Sequence, residues 1–214
     1  MAMTPERWIF LEHYAEEVFG KSDEHLAGLM DRAVDAGLPA ISVSPDVGRL
    51  LKILVSMTDG DLAVELGTLA GYSAIWIARG LAETGKLITV ESNDEYADFA
   101  QAELEKAGVA DRVEVVRGAA LDVIPKLVDR LGPSSVDFVF IDAVKSEYVD
   151  YFRGIKPLVK PGGLVVGDDA YGTRAGWIDE GYGTDAFNRH VAADADFDAV
   201  GVPISDGILL ARRD

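Results

Sequence analysis

From residue 62 onward the chain alternates short apolar runs with stretches of helical periodicity, and this alternation constrains the fold more than any other feature. Strand-length runs lie near 62–66, 86–91, 112–116, 136–141 and 163–167, with helical patterns near 71–81, 93–107, 119–131 and 147–159. Strands separated by helices pair in parallel, with helices on both faces of the sheet. Two further strand-like runs, Phe197 to Val202 and Gly207 to Arg212, are joined by Pro203-Ile-Ser-Asp206 with no helix between them. The expectation is an α/β fold whose central, mostly parallel seven-stranded sheet closes with an antiparallel C-terminal hairpin.

Residues 5 to about 58 read as helices. Thr4-Pro5 is a plausible start for the first, with Trp8, Leu11, Val18 and Phe19 as a partial apolar face; Ser22-Asp-Glu heads a second that ends near Gly37-Leu-Pro39. Ser44-Pro-Asp opens a third, with Val47, Leu50, Leu51 and Leu54 on one face. No repeat, low-complexity tract or linker interrupts the chain. One domain over 1–214 is therefore expected, with a helical extension (1–58) and an α/β core (59–214).

Composition removes several classes of function. With no cysteine, disulfides, thiolate zinc sites and cysteine nucleophiles are excluded. The formal net charge of −17 disfavours nonspecific contact with a phosphate backbone. No apolar run approaches the roughly 18 residues needed to span a bilayer, and the N-terminus lacks the pattern of a signal peptide. These features are compatible with a cytoplasmic place.

The strand ends carry the chemistry. Val64-Glu-Leu-Gly-Thr-Leu-Ala-Gly-Tyr-Ser73 is an apolar strand ending in an acid, a turn with glycines at 67 and 71, and a helix start. Free amides at that start favour a carboxylate or phosphate, and Glu65 lies where open α/β sheets hold their ligands. The spacing is Gly-x-x-x-Gly, not the Gly-x-Gly-x-x-Gly of dinucleotide sites, and no Walker lysine follows. Lys86-Leu-Ile-Thr-Val-Glu91 is a second strand ending in an acid, suited to accept both ribose hydroxyls of an adenosine. An adenosine clamp without a pyrophosphate cradle makes S-adenosylmethionine the better candidate. Asp142, ending Phe138-Val-Phe-Ile-Asp142, and the pair Asp168-Asp169, ending the next strand, share the same edge. Three converging carboxylates repel one another unless a hard divalent cation such as Mg²⁺, Ca²⁺ or Mn²⁺ sits among them.

The ordered set Glu65-Leu-Gly-Thr…Gly-Tyr-Ser73, Thr89-Val-Glu91, Gly118-Ala-Ala-Leu-Asp122, Phe140-Ile-Asp142…Lys145…Tyr148, Gly162-Gly163…Asp168-Asp169, Phe187-Asn188 and Asp206-Gly-Ile208 resembles the cation-dependent O-methyltransferases. That family includes the catechol and caffeoyl-CoA enzymes, and the similarity runs from about Leu38 to Arg212. The resemblance implies a Rossmann-like methyltransferase fold, usually dimeric, that uses S-adenosylmethionine and a divalent metal, Mg²⁺ foremost, on a small hydroxylated aromatic acceptor. By position, Glu91 would bind the ribose, Val43 and Ser73 the methionine end, and Glu65 and Gly67 the turn beneath it. Tyr72, Ala119 and Ala120 would shape the adenine pocket. Asp142, which also borders the cofactor, joins Asp168 and Asp169 as a metal ligand. Lys145 matches the general base, a role suited to a lysine whose pKa is lowered by burial or by the cation. Asn188 falls where relatives have a residue near metal or substrate.

The chain departs from the family pattern in several places. Asp169 stands where relatives usually have Asn; the third carboxylate is expected to tighten metal binding and weaken the drop in acceptor pKa. Val144 replaces a frequent acid. Tyr171 to Gly183 lacks the pattern expected after the metal strand, and its Tyr171, Trp177 and Tyr182 read either as an acceptor pocket or as a packed lid. Some relatives methylate a hydroxylated tRNA base, which the net charge opposes, and a non-catalytic module is opposed by the intact Lys145 and carboxylate set.

Overall fold

A computed structural model describes residues 4–214. In chain order the helices are α1 (Pro5–Phe19), α2 (Glu24–Ala27), α3 (Leu29–Asp35), α4 (Pro45–Ser56), α5 (Tyr72–Gly80), α6 (Asp94–Lys106), α7 (Ala120–Leu131), α8 (Tyr148–Ile155) and α9 (Asp185–Ala192). The strands are β1 (Leu62–Leu66), β2 (Lys86–Glu91), β3 (Val113–Arg117), β4 (Val136–Ile141), β5 (Val159–Gly167), β6 (Gly172–Thr173), β7 (Gly176–Trp177), β8 (Phe197–Val202) and β9 (Ile208–Arg213). Seven of them form one sheet in the order β3-β2-β1-β4-β5-β9-β8, and β6 and β7 make a small separate ribbon. β1 to β5 are parallel; β9 runs against β5 and pairs antiparallel with β8. This is the mostly parallel sheet with a C-terminal hairpin expected from the sequence.

Strand alternation sorts the core into two layers. Phe138 and Phe140 of β4 face a layer built from Leu51, Leu54 and Val55 of α4 and Ile75 and Ile77 of α5. Val139 and Ile141 face Val123, Ile124 and Leu127 of α7 and Phe152 of α8. With both faces covered, every residue of β4 is buried, which is why the strand is a continuous apolar run broken only by Asp137.

Three elements differ from expectation. The second helix splits at Gly28, which ends α2 and begins α3; Asp23 rather than Ser22 caps it, accepting from Leu26 N at 3.0 Å. Glycine weakens helix propagation, so a break there is inexpensive. β5 begins four residues early, at Val159, and a register irregularity opposite Val136 and Phe138 absorbs the Pro161-Gly162 stretch. Finally, Leu26, Leu29 and Ala33 of α2 and α3 are buried in one core layer with α4 and α5, whereas of the face read on α1 Leu11, Val18 and Phe19 are exposed and Trp8 is half-buried. Among the described residues, that face joins neither core layer.

Candidate active site

The carboxyl ends of β1, β2, β4 and β5 open on a cleft of about 960 Å³. It lies where strand order reverses between β1 and β4, the switch point at which open α/β sheets hold ligands.

Below one wall, β1 turns into α5. Gly67 has φ +102°, and a Cβ there would overlap the Asp142 carbonyl, so the turn can cross the end of β4 only as glycine. Gly71 at φ +82° begins α5 with no side-chain cap, leaving the first-turn amides free beside Tyr72 and Ser73. Val43, just ahead of α4, lines the cleft opposite them. Glu91 ends β2; its carboxylate accepts from Leu69 N at 2.8 Å and Asn93 N at 2.9 Å, which fixes its orientation and leaves lone pairs for hydroxyl donors. Ala119 and Ala120 close this end, together with Tyr96, which the sequence did not single out.

Glu65 lies beneath the floor and does not line the cleft. It is fully buried: Oε2 accepts from the Thr89 hydroxyl at 2.6 Å, and Oε1 has no hydrogen-bond partner among the described residues. Burial pushes its pKa up to about 8, opposed by the hydroxyls of Ser73 and Thr89 and reinforced by the charges of Asp142 and Glu91.

On the opposite wall, carboxylate oxygens of Asp142, Asp168 and Asp169 lie within 4.8 Å of one another. The backbone fixes this convergence: Asp142 N donates to Leu66 O at 2.9 Å and Asp168 N to Ile141 O at 3.1 Å, while Asp169 adopts a left-handed backbone, φ +58°. Asp and Asn tolerate that region better than most residues, so the usual Asn and the Asp found here meet the same backbone demand. Burial raises the Asp168 pKa well above the carboxylate range, the charges of Asp142 and Asp169 add to it, and Lys145 opposes it. Burial also raises Asp169.

Lys145 Nζ sits 2.6 Å from Asp142 Oδ1, 2.7 Å from Asp169 Oδ2 and 2.7 Å from the Tyr148 hydroxyl. Burial works to lower its pKa, but the charges of Asp142, Asp169 and Asp168 outweigh it and hold the ammonium above its ordinary value. The burial expected to lower it is outweighed here by the three aspartate side chains around one ammonium. An all-oxygen donor set with a charge deficit fits a hard divalent cation.

Other residues lie elsewhere. Asn188 does not reach the cleft; its Nδ2 donates to Ala170 O at 2.6 Å, and with Tyr171 it lines a separate pocket of about 150 Å³ beside β8 and β9. Trp177 and Tyr182 are about half exposed and outside the cleft, so neither forms the aromatic acceptor pocket considered for them. That wall is made instead by Thr173, Arg174 and Ala175, facing Ile41 and Ser42. The Arg174 guanidinium donates to the carbonyls of Ala40 and Ser42 and so ties the ribbon across the cleft mouth. Nothing in the irregular 171–183 sequence marks this arginine; Asp206, also lining the cleft, was visible only as part of Asp206-Gly-Ile208.

Residues 16–214 match the O-methyltransferase family. A catechol O-methyltransferase of Niastella koreensis is 38% identical over 213 residues, covering 94% of this chain and 95% of that protein. Among solved structures, an O-methyltransferase from Bacillus cereus in complex with SAH superposes with a TM-score of 0.84 at 32% identity, covering 98% of this chain and 99% of that one. The O-methyltransferase TomG from Streptomyces achromogenes, in complex with SAM, gives the same score and identity with 99% of each chain covered. With the match running almost end to end and the fold shared, the chain belongs to the O-methyltransferase family.

Proposed function

We propose that the protein transfers the methyl group of S-adenosylmethionine to a hydroxyl of a small catechol-like acceptor, using a divalent cation held by Asp142, Asp168 and Asp169. The observation that carries this reading is the convergence of three carboxylates on one side of a cleft whose other side offers the Glu91 carboxylate and a helix start without a side-chain cap. The cofactor-bound relatives, and the relative named as a catechol enzyme, support it.

Glu91 takes the ribose hydroxyls. Val43, Ser73 and the free amides of α5 receive the methionine carboxylate, while Tyr72, Ala119 and Ala120 shape the adenine side. Gly67 supplies the close approach, with Glu65 beneath it and Asp142 bordering both ligands. The cation, Mg²⁺ foremost and Ca²⁺ or Mn²⁺ as alternatives, supplies Lewis acidity that lowers the pKa of a chelated hydroxyl. Lys145 holds the proton that the acceptor gives up, at Nζ. It can do so only once Asp142 and Asp169 no longer fix it as an ammonium, so neutralising their charge is a condition for its role. The exposed apolar residues of α1 support a homodimer as the working assembly.

Incubation with methyl-labelled S-adenosylmethionine and a panel of mono- and dihydroxylated aromatics tests the proposal. Label should pass to vicinal diols only, cease with chelator and return with Mg²⁺. Undiminished transfer after exhaustive metal removal refutes it.

A further inference from the structure

Resting on the cation reading above, we infer that Thr184 and Asn188, which stand outside the cleft, are positioning residues that set the cation affinity of the Asp168-Asp169 turn. After β5 ends at Gly167 the chain reverses through Asp168, Asp169 and Ala170, with Asp169 in the left-handed region that L-residues avoid. The turn's amides are held from the sheet side: Asp168 N donates to Ile141 O at 3.1 Å and Ala170 N to Gly207 O at 2.8 Å. Its carbonyls are held from the opposite side by a single helix. Thr184 Oγ1 donates to Asp169 O at 3.2 Å, and Asn188 Nδ2 donates to Ala170 O at 2.6 Å.

Two features show that this clamp is not incidental. Thr184 occupies the N-cap position of α9, where a threonine hydroxyl ordinarily accepts from its own helix's first turn; here it makes no such bond and is turned inward, 3% exposed, onto the Asp169 carbonyl. Asn188 follows four residues later on the same helical face, its Oδ1 3.5 Å from the Thr184 hydroxyl. The helix itself is fixed to the site. Phe187, 1% exposed, meets the Tyr148 ring edge-on at 5.3 Å, and Tyr148 accepts from Lys145. The Phe187 ring also lies against Gly167, where a Cβ would overlap it. α9 is thus registered against the ammonium and the turn at once, and the two donors transmit that register to the Asp168 and Asp169 carboxylates.

Partners behind the ligands of a metal site orient those ligands, and their loss typically weakens cation binding about 10- to 100-fold. The test is titration of the metal-stripped protein with Mn²⁺, followed by electron paramagnetic resonance, for wild type, Thr184→Val, Thr184→Ser and Asn188→Ala. S-adenosylmethionine affinity and the thermal midpoint are measured alongside. Thr184→Val keeps the volume and removes only the hydroxyl, so it decides the matter should Asn188→Ala fail to fold. We expect Mn²⁺ binding about 10-fold weaker or more in the Val and Ala variants. Thr184→Ser should restore it, S-adenosylmethionine affinity should hold, and kcat should recover at saturating Mn²⁺. Folded variants with wild-type Mn²⁺ affinity overturn the inference, as does a parallel loss of both ligands. A wild-type protein that binds no Mn²⁺ overturns the cation reading itself, and this inference with it.

Discussion

Two carboxylate sites in this molecule, one buried and one half-buried, have opposite electrostatics. Glu103 on α6, its side chain 1% exposed, receives Arg32 Nη2 at 2.6 Å and Lys106 Nζ at 2.6 Å. Burial alone would raise its pKa, but Arg32 and Lys106 override that and leave it lowered. At the strand ends, three carboxylates share one ammonium, and Asp168 and Asp169 are raised. The first cluster is complete within the chain and ties α3 to α6. The second sets three carboxyl groups against a single ammonium, the imbalance on which the proposed cation rests. A deficit of counter-charge, more than burial or acidity, separates a binding site from a structural tie.

Three substitutions probe that contrast. The largest effect should come from Lys145→Met: if Nζ holds the acceptor's proton, kcat falls roughly 10²- to 10⁴-fold. Removing the one ammonium among three carboxylates should leave Mn²⁺ affinity unchanged or tighter, and a kcat within threefold of wild type would remove Lys145 from the chemistry. Glu103→Ala should cost about 1–3 kcal/mol of stability, the lower part of the range for a buried charge because Arg32 and Lys106 reach solvent. Methyl transfer per folded molecule should not change. Because the folded-state pKa of Glu103 is lowered from 4.5, its contribution is present above that value and lost as pH falls through the lower folded value. The gap between wild type and variant in urea melts should therefore close in acid; a gap constant down to pH 3 would contradict the assignment. The smallest effect is expected of Asp169→Asn, which leaves two carboxylates and one ammonium. Cation affinity should drop about tenfold, ~1.4 kcal/mol, and the acidic limb of the pH–rate profile should move to lower pH. Both quantities staying at wild-type values would show that the third charge is inert.

The strand-end acids are readable from sequence because an apolar run that stops at a carboxylate marks both a buried strand and the edge where it surfaces; Glu91, Asp142 and Asp168 all follow that rule. Gly67 is readable for a similar reason, since a turn that tight admits no side chain. What escapes is set by distance along the chain. Arg32 and Glu103 are 71 residues apart, and neither carries a local mark of the other. Asn188 is misplaced because its direction depends on how Phe187 docks α9, not on the Phe-Asn pair itself. The charge state of Lys145 needs all three carboxylates to be counted together. Residues 171–183 have neither period 2 nor 3.6, so their aromatic residues suggest a pocket that Arg174 and its neighbours form instead.

Tyr171 sits where Gly201 and Gly207 leave room for its ring, and its amide donates to Asp206 O at 2.9 Å. The strap beyond it is therefore pinned at its root. On the proposed function, replacing residues 173–175, which line the cleft, should alter which acceptors fit while leaving the Asp168-Asp169 turn in its register. An enzyme built in this way can change its diet without relearning its chemistry, provided that tyrosine and the two glycines beneath it are kept.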